Sequence, residues 1–186
     1  LYSGTLGLKH DPGLLVQVTQ AVRERGRDAR LVVVNDGPAV AVIRDLAAQH
    51  DVPVTLLPFQ PYERLSEVLA TGDVLVVLLD QQAGAFSVPS KTLSYLCAGR
   101  PVVGLMPAEN SASHLIESTG GFVAAPATAS VPAVADWVVE LMDAPERRDE
   151  IGRASRDLAE TEFALERCGD AFERILQQSA RTGRHA

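Results

Sequence analysis

The residues best suited to bind an anion lie between Ser87 and Lys91, in the run SVPSK. A proline suits the first turn of a helix because it has no N–H to lose there, so a helix is predicted over Pro89–Ala98, with Ser87 placed to cap it. The first turn would offer free backbone N–H groups, the hydroxyls of Ser87 and Ser90, and the Lys91 ammonium. Such a helix end attracts anions, and phosphate above all.

The rest of this stretch predicts how the helix is held. Leu93, Leu96 and Cys97 repeat at i, i+3 and i+4, which predicts an apolar face directed at a sheet. Gly99 is a typical helix stop because it tolerates positive φ. The apolar run Pro101–Leu105 then predicts a buried strand.

A second candidate for phosphate contact is the loop SGTLGLKH near the start of the chain. Gly4, Thr5 and Gly7 would form a tight turn that lets a phosphate approach the backbone, with Lys9 and His10 close behind. The spacing matches neither a dinucleotide-binding fingerprint nor a Walker loop. A turn without a ligand therefore stays an open alternative.

A third candidate is the string PFQPYERL over 58–65. Two prolines hold this segment extended, and Phe59 offers an aromatic surface beside Gln60. A nucleobase could stack there and be recognised by main-chain hydrogen bonds. The alternative is that Phe59 and Tyr62 fill the core.

The elements that must position these residues follow an alternating pattern. Six short runs rich in Val and Leu predict buried strands: Leu1–Ser3, Arg30–Asn35, Val54–Leu57, Val74–Leu79, Pro101–Leu105 and Gly121–Ala124. Helical patterns lie between them: Pro12–Arg25, Ala39–Gln49, Tyr62–Ala70, Pro89–Ala98 and Ser111–Ser118. This alternation predicts an α/β fold with a doubly wound, parallel six-stranded sheet, whose ligands bind at the carboxyl ends of the strands. Three further helices are predicted at Val131–Asp143, Pro145–Phe163 and Ala164–Gln178.

Composition excludes several classes of function. The chain has 186 residues and a formal net charge of −7, with a sequence pI of about 5.1, which argues against nucleic acid or an anionic membrane as the main partner. Cys97 and Cys168 are expected to be reduced core residues, and no histidine has metal-ligand spacing. No apolar run approaches a membrane span. We expect a cytoplasmic protein without a cofactor or metal.

Three strings of this chain resemble the group 1 (family 4) glycosyltransferases of the GT-B fold: P-S-K-x-x-x-Y-L-x-A-G-R-P-V-V, S-G-x-L-G-x-K and F-x-P-Y-E-x-L. The nearest resemblance is to the branch that makes bacterial surface polysaccharides and colanic-acid-like polymers. It implies that residues 1–186 form the Rossmann-like, nucleotide-sugar-binding domain, with an α/β core over 1–125 and C-terminal helices over 126–186. An acceptor domain would lie upstream, and the final helices would cross back to it; a helical cover on the sheet edge is the alternative.

The resemblance also implies an activity: retaining hexosyl transfer from a nucleotide-diphosphate sugar, most frequently a UDP-sugar, to a glycan or lipid-linked acceptor. The isolated domain is expected to be inactive. The full-length enzyme would be cytoplasmic, with peripheral association at the inner membrane face left open.

The same resemblance assigns roles to residues. The catalytic cations on the donor diphosphate would be Lys9 and Lys91. The substrate-binding residues would be Gly4, Thr5, Gly7, Phe59, Gln60, Ser87, Val88, Pro89, Ser90 and Ser94. Phe59 and Gln60 would hold the base and Ser94 the ribose. Three positions depart from the family pattern: Thr5 where many relatives have Arg, and Phe86 and Ser94 where typical members have Glu.

Two other functions remain open at this point. A nucleotide-sugar 2-epimerase shares the fold and also binds a UDP-sugar. A non-catalytic, flavodoxin-like module would bind no nucleotide and would need an acidic pocket.

Overall fold

The computed structural model of the chain describes residues 1–7, 10–83 and 87–182, and it confirms the alternation of strands and helices. The strands are β1 (Tyr2–Ser3), β2 (Leu31–Val34), β3 (Val54–Leu57), β4 (Leu75–Leu78), β5 (Val102–Leu105) and β6 (Phe122–Ala124). The helices are α1 (Gly13–Glu24), α2 (Ala39–Gln49), α3 (Leu65–Ala70), α4 (Lys91–Cys97), α5 (Ser111–Ser118), α6 (Val131–Asp143), α7 (Pro145–Glu162) and α8 (Leu165–Thr182). A single 3-10 turn, Tyr62–Arg64, precedes α3.

The strands form two parallel halves, β1-β2-β3 and β4-β5-β6. The halves are joined at Leu1, whose amino group donates to the Val74 carbonyl at 2.8 Å and whose carbonyl accepts from the Val76 N–H at 2.9 Å. The six strands therefore lie in the order 3-2-1-4-5-6. This is the doubly wound topology, and its order reverses between β1 and β4.

The sheet opens immediately beyond that junction. Backbone groups of alternate residues in a strand point to the same side, so those of Ser3 point towards β4, as those of Leu1 do. Instead of β4, Ser3 pairs with the Tyr95 hydroxyl, which accepts from its N–H and donates to its carbonyl, both at 2.9 Å. A side chain of α4 thus separates β1 from β4 at their carboxyl ends.

Helices cover both faces of the sheet. One core contains the buried sides of α1, α2 and α6, and the other contains those of α3, α4 and α5. Helix α7 contributes to both, with Ile151 in the first and Ala159 in the second. Neighbouring residues of β4 face opposite cores, with Val77 in the second and Leu78 in the first. Burial on both sides explains why the strands read as continuous apolar runs.

Helix α4 differs from its prediction in two ways. It begins at Lys91 rather than Pro89, because the carbonyls of Pro89 and Ser90 accept i+3 bonds of a turn, and Ser87 does not cap it. Its buried face is Thr92, Tyr95 and Leu96, whereas Leu93 is only half-buried and Cys97 is exposed. The bond from Tyr95 to Ser3 accounts for the rotation, since it requires Tyr95 to face the sheet.

The prediction that both cysteines are core residues is also wrong. Cys97 lies at the exposed end of α4 and Cys168 lies on α8, and both are free and exposed. The apolar pattern around Cys168 is real, but the helix that carries it leaves that face uncovered.

The C-terminal helices differ in what they cover. Helix α6 packs on α1 and helix α7 packs on α4, so each lies beside a helix that covers one face of the sheet. Helix α8 leaves Leu165, Phe172, Ile175 and Leu176 more than half exposed. Of the described helices, none has both the length and the apolarity needed to cross a membrane.

Candidate functional site

A cavity of about 220 Å³ lies at the carboxyl ends of β1 and β3, beside the place where the sheet opens. Three segments that are distant in the chain form its walls: the end of β1, the loop after β3, and α4. Its described lining residues are Ser3, Gly4, Phe59, Gln60, Tyr62, Leu65, Val68, Leu69, Lys91, Ser94 and Tyr95. Four of the predicted substrate-binding residues, Gly4, Phe59, Gln60 and Ser94, are therefore brought together with Lys91, one of the two predicted catalytic cations.

Lys91 is the only charged side chain among the described residues that line this cavity. Its ammonium donates to the Tyr2 hydroxyl and to the Thr5 carbonyl, the latter at 3.3 Å, and lies 3.9 Å from the centre of the Tyr2 ring. Burial lowers the pKa of Lys91 to about 8. Burial also raises the pKa values of Tyr2 and Tyr95, so both hydroxyls keep their protons at neutral pH. The cavity is locally positive in a chain whose net charge is −7.

The lysines of this chain are confined to the predicted site. The chain contains two, Lys9 and Lys91, and its other 15 basic residues are arginines. Lys9 lies outside the described residues, as does Phe86. The structure therefore describes the surroundings of Lys91 but not those of Lys9, the other predicted cation.

Position 4, at the start of the glycine loop, requires glycine because of its backbone conformation and its closeness to Lys91. Gly4 has φ = 127°, and a Cβ there would lie 3.3 Å from Cε of Lys91. Its N–H donates to the Val34 carbonyl at 3.0 Å, and its carbonyl accepts from Nδ2 of Asn35 at 2.8 Å. The end of β1 is thus fixed beside Lys91.

The remaining loop residues contribute through the backbone or lie further along the chain. Thr5 contacts Lys91 only with its carbonyl. Gly7 does not line the cavity; its carbonyl accepts from the N–H of His10 at 3.1 Å. Neither residue lines the cavity, but Thr5 contacts Lys91, which does.

The loop after β3 presents its aromatic side chains to solvent. Phe59 is 47% exposed and Tyr62 is 83% exposed, so the alternative in which both fill the core is wrong. The Phe59 N–H donates to Oδ2 of Asp36 at 2.8 Å. One of the main-chain groups expected to be available to a base is therefore already occupied.

The residues that precede α4 do not line the cavity. The Ser87 carbonyl accepts from Nδ2 of Asn110 at 2.8 Å, and Val88 is 60% exposed. Pro89 and Ser90 form the turn that leads into Lys91. The structure thus separates the predicted phosphate-binding run into Lys91, which faces the cavity, and Ser87–Ser90, which lie outside its described lining.

Three residues of the site were not predicted from the sequence: Tyr2, Asn35 and Tyr95. Tyr95 joins α4 to β1 through Ser3, and Tyr2 joins the same two segments by accepting from Lys91. Asn35, just after β2, donates to the Gly4 carbonyl. Each of these side chains lies in or beside an apolar run that predicts burial, and a buried polar atom needs a hydrogen-bond partner. That requirement is the signal in the sequence from which the three residues could have been found.

A larger cavity, of about 470 Å³, lies at the opposite edge of the sheet. Its mostly apolar lining includes Leu1, Leu31, Val74 and Leu141, near the amino ends of β2 and β4. Because ligands of doubly wound sheets bind at the carboxyl ends of the strands, the smaller cavity is the candidate site. Within the described residues, no group of three His, Cys, Asp or Glu side chains could hold a metal ion.

Comparison with known proteins identifies relatives that align with more than nine tenths of this chain. An α-D-kanosaminyltransferase of Streptomyces kanamyceticus is 25% identical over 181 residues, covering 96% of this chain and 45% of that protein. A GDP-mannose-dependent monoacylated α-(1-6)-phosphatidylinositol monomannoside mannosyltransferase of Corynebacterium glutamicum is 27% identical over 176 residues, covering 93% and 45%. The chain thus spans about half the length of these relatives.

A solved structure supports the fold. The Anabaena HepE protein, crystallised in complex with UDP, superposes with a TM-score of 0.76 at 13% identity, covering 95% of this chain and 48% of that one. The profile of the family "Glycosyl transferases group 1" matches residues 1–144. This match covers most of the chain, which therefore belongs to the group 1 glycosyltransferases.

Proposed function

We propose that this chain is the donor-binding domain of a retaining glycosyltransferase that uses a nucleotide-diphosphate sugar. One observation carries the proposal: the only charge on the described lining of the cavity is the Lys91 ammonium, at the start of α4 and beside the opening of the sheet. A partly buried cation in that position suits a phosphate. Support also comes from the two relatives, both glycosyltransferases by name, and from the neighbour crystallised with UDP.

The proposed binding mode follows the cavity from end to end. The diphosphate lies against Lys91 and the Gly4 backbone, with Lys9 and Ser87–Ser90 as further contacts. The base stacks on Phe59 beside Gln60, and Ser94 hydrogen-bonds the ribose. At 220 Å³ the cavity is smaller than the usual range for ligand sites, so it suits part of the donor, and the remainder extends outside it.

In this mode catalysis is electrostatic. When the glycosidic bond to the donor breaks, negative charge develops on the leaving diphosphate, and a cation already fixed beside it stabilises that charge without reorganising. Lys91 is held in advance by Tyr2 and Thr5 and would act in this way.

The whole enzyme would need more chain than is present here. We propose that an upstream domain supplies the acceptor site and packs against the exposed apolar side of α8, and that 1–125 and 126–186 form the core and the helical extension. The acceptor would be a glycan or lipid-linked glycan of a bacterial surface polysaccharide, with the enzyme at the cytoplasmic face of the membrane. This domain alone would bind the donor but transfer no sugar.

Titration calorimetry with UDP, GDP, ADP, UMP and uridine tests the proposal. We expect one of the three diphosphates to bind best, because the base loop selects it, and the nucleoside to bind too weakly to measure, because it lacks the groups that contact Lys91. Equal binding of uridine and UDP, or no binding of any diphosphate at millimolar concentration, would refute this binding mode. Product analysis of the full-length enzyme separates transfer from epimerisation.

A substitution at Ser94 is predicted to increase the affinity for the nucleoside diphosphate. A carboxylate can accept from both ribose hydroxyls, whereas a serine hydroxyl offers only one compact group. We therefore expect Ser94→Glu to tighten diphosphate binding by about tenfold, since a hydrogen bond to a charged group contributes about 1.5–3 kcal/mol. As the control, the free nucleobase, which has no ribose, is titrated into the wild-type chain and into Ser94→Glu. Tighter binding of the nucleobase as well would assign the gain to another cause.

The protonation of Lys91 predicts a pH dependence of binding. Its pKa in the free domain is about 8, so the ammonium is present below that pH and lost above it. Phosphate groups are already ionised above about pH 6, so the affinity should fall as pH rises from about 7 to about 9. In Lys91→Arg the side chain stays charged across this range, and the affinity should be flat. A decline of equal size in both proteins would place the titrating group elsewhere.

A further inference from the structure

We propose that Tyr2 is a positioning residue that holds the Lys91 ammonium in its place at the cavity, through its hydroxyl and its ring face. The consequence for donor binding rests on the proposed function, whereas the hold itself can be measured without any ligand.

The contacts of Tyr2 leave its hydroxyl suited to this role. The side chain is fully buried, and the hydroxyl donates to the Thr5 carbonyl at 2.8 Å. Its hydrogen is therefore committed, and its oxygen is free to accept from the Lys91 ammonium, as the structure shows. The same ammonium lies 3.9 Å from the ring centre, within the range of a cation–π contact. Tyr2 thus contacts Lys91 in two chemically different ways.

Such a hold matters because lysine is a flexible side chain. Its four-carbon stem has many rotamers, and ordering it on ligand binding has an entropic cost. Tyr2 and the Thr5 carbonyl fix the ammonium before any ligand arrives, while Gly4, which lacks a Cβ, leaves room for the stem. An ammonium that is already ordered loses less entropy when a phosphate binds.

The other groups near this cavity act on different partners. Tyr95, the next tyrosine of the site, is bonded to the Ser3 backbone and not to Lys91. At the same edge of the sheet, the Asp80 N–H donates to Nδ1 of His10 at 3.0 Å. No carboxylate belongs to the described lining of the cavity. Tyr95 is therefore a matched control: a buried tyrosine hydroxyl of the same site without the contact to Lys91.

The direct test is an NMR titration of lysine labelled with ¹³C at Cε. With two lysines the spectrum has two such signals, and Lys91→Ala identifies which one belongs to Lys91. A hydrogen bond accepted from the ammonium stabilises its charged form, and removing that bond lowers the pKa. We expect Tyr2→Phe to lower the titration midpoint of Lys91 by about half a unit or more, and Tyr95→Phe to leave it unchanged.

A role of Tyr2 in packing alone predicts a different result. Tyr2→Phe keeps the ring, so both tyrosine variants should fold, which their thermal unfolding checks. If the Lys91 midpoint does not move in Tyr2→Phe, or moves equally in Tyr95→Phe, the proposal is overturned. If Tyr2→Phe does not fold, the wild-type spectrum decides instead: an ammonium held over the Tyr2 ring places the Hε protons of Lys91 in the ring current and shifts their signals upfield. Hε signals of Lys91 at free-lysine values would then overturn the proposal.

A second measurement separates this inference from the proposed function. With the diphosphate that binds best, Tyr2→Phe should reduce the affinity about three- to tenfold at neutral pH and move the alkaline decline to lower pH. If the wild-type chain binds no diphosphate, the proposed function fails, while the NMR midpoints still decide whether Tyr2 holds Lys91. If wild-type binding is measurable and Tyr2→Phe matches it at every pH, the positioning role fails and the proposed function stands.

Discussion

Replacing Lys91 by alanine is expected to weaken nucleoside diphosphate binding by about 10- to 100-fold. The variant removes the only charge on the described lining of the cavity, and a hydrogen bond between charged groups contributes about 1.5–3 kcal/mol. The loss should be larger for UDP than for UMP if the ammonium contacts the second phosphate. Calorimetry at about pH 7, where Lys91 is protonated, measures it.

Two controls distinguish a specific contact from the overall charge. Arg153→Ala also removes one positive charge, but from an exposed position on α7, and should leave the affinity within about twofold. Lys91→Arg keeps the charge without the compact ammonium that fits over the Tyr2 ring, and should recover part of the loss. Wild-type affinity in Lys91→Ala would mean that the diphosphate binds elsewhere.

The largest expected effect on stability comes from Gly152, where α7 crosses the end of α4. A Cβ at Gly152 would lie 2.4 Å from the carbonyl oxygen of Gly99, a backbone atom that cannot rotate away. Gly152→Ala must push the two helices apart, and overpacking of this kind costs about 1–3 kcal/mol. We expect a lower urea midpoint and a Tm lower by several degrees, since each kcal/mol shifts Tm by about 2–4 °C in a domain of this size.

Gly169 supplies the matched control in the neighbouring helix. It lies within α8, and a Cβ there would meet nothing within 4 Å. Gly169→Ala should therefore stabilise the helix by up to about 1 kcal/mol, because glycine is a poor helix former. The same substitution would thus have opposite signs in two helices. If both variants were destabilised equally, the contact between Gly152 and Gly99 would not be the cause.

The elements of this fold could be predicted from the sequence because their signals are local. Strands β2 to β5 are short runs rich in Val and Leu, and the predicted bounds of α2, α5 and α6 agree with the structure residue for residue. Alternation of such elements in turn predicts a parallel sheet, since parallel strands need a crossover between them. Even the meeting of the first glycine loop, the base loop and α4 follows, because all three lie at the carboxyl ends of strands.

The prediction failed where a contact between distant segments decides the outcome. The apolar face of α4 was misassigned because Tyr95 turns towards Ser3, which is 92 residues away in the chain. For Phe59 the sequence leaves both a base-binding surface and a core position open, because an isolated aromatic residue carries no periodicity that distinguishes the two. The two cysteines are exposed although they lie in apolar helical patterns, because helical spacing shows that a face is apolar but not that anything covers it.

The sequence by itself determined the kind of fold, and it predicted the edge of the sheet at which the candidate site lies and a lysine, Lys91, within that site. Only the tertiary structure decided that Tyr95 opens the sheet beside β1, that Lys91 rests on Tyr2 and Thr5, and that Ser87–Ser90 stay outside the cavity. The physical reason is that periodicity and capping are properties of neighbouring residues, whereas the position and pKa of Lys91 depend on groups brought to it from β1 by the folding of the whole sheet.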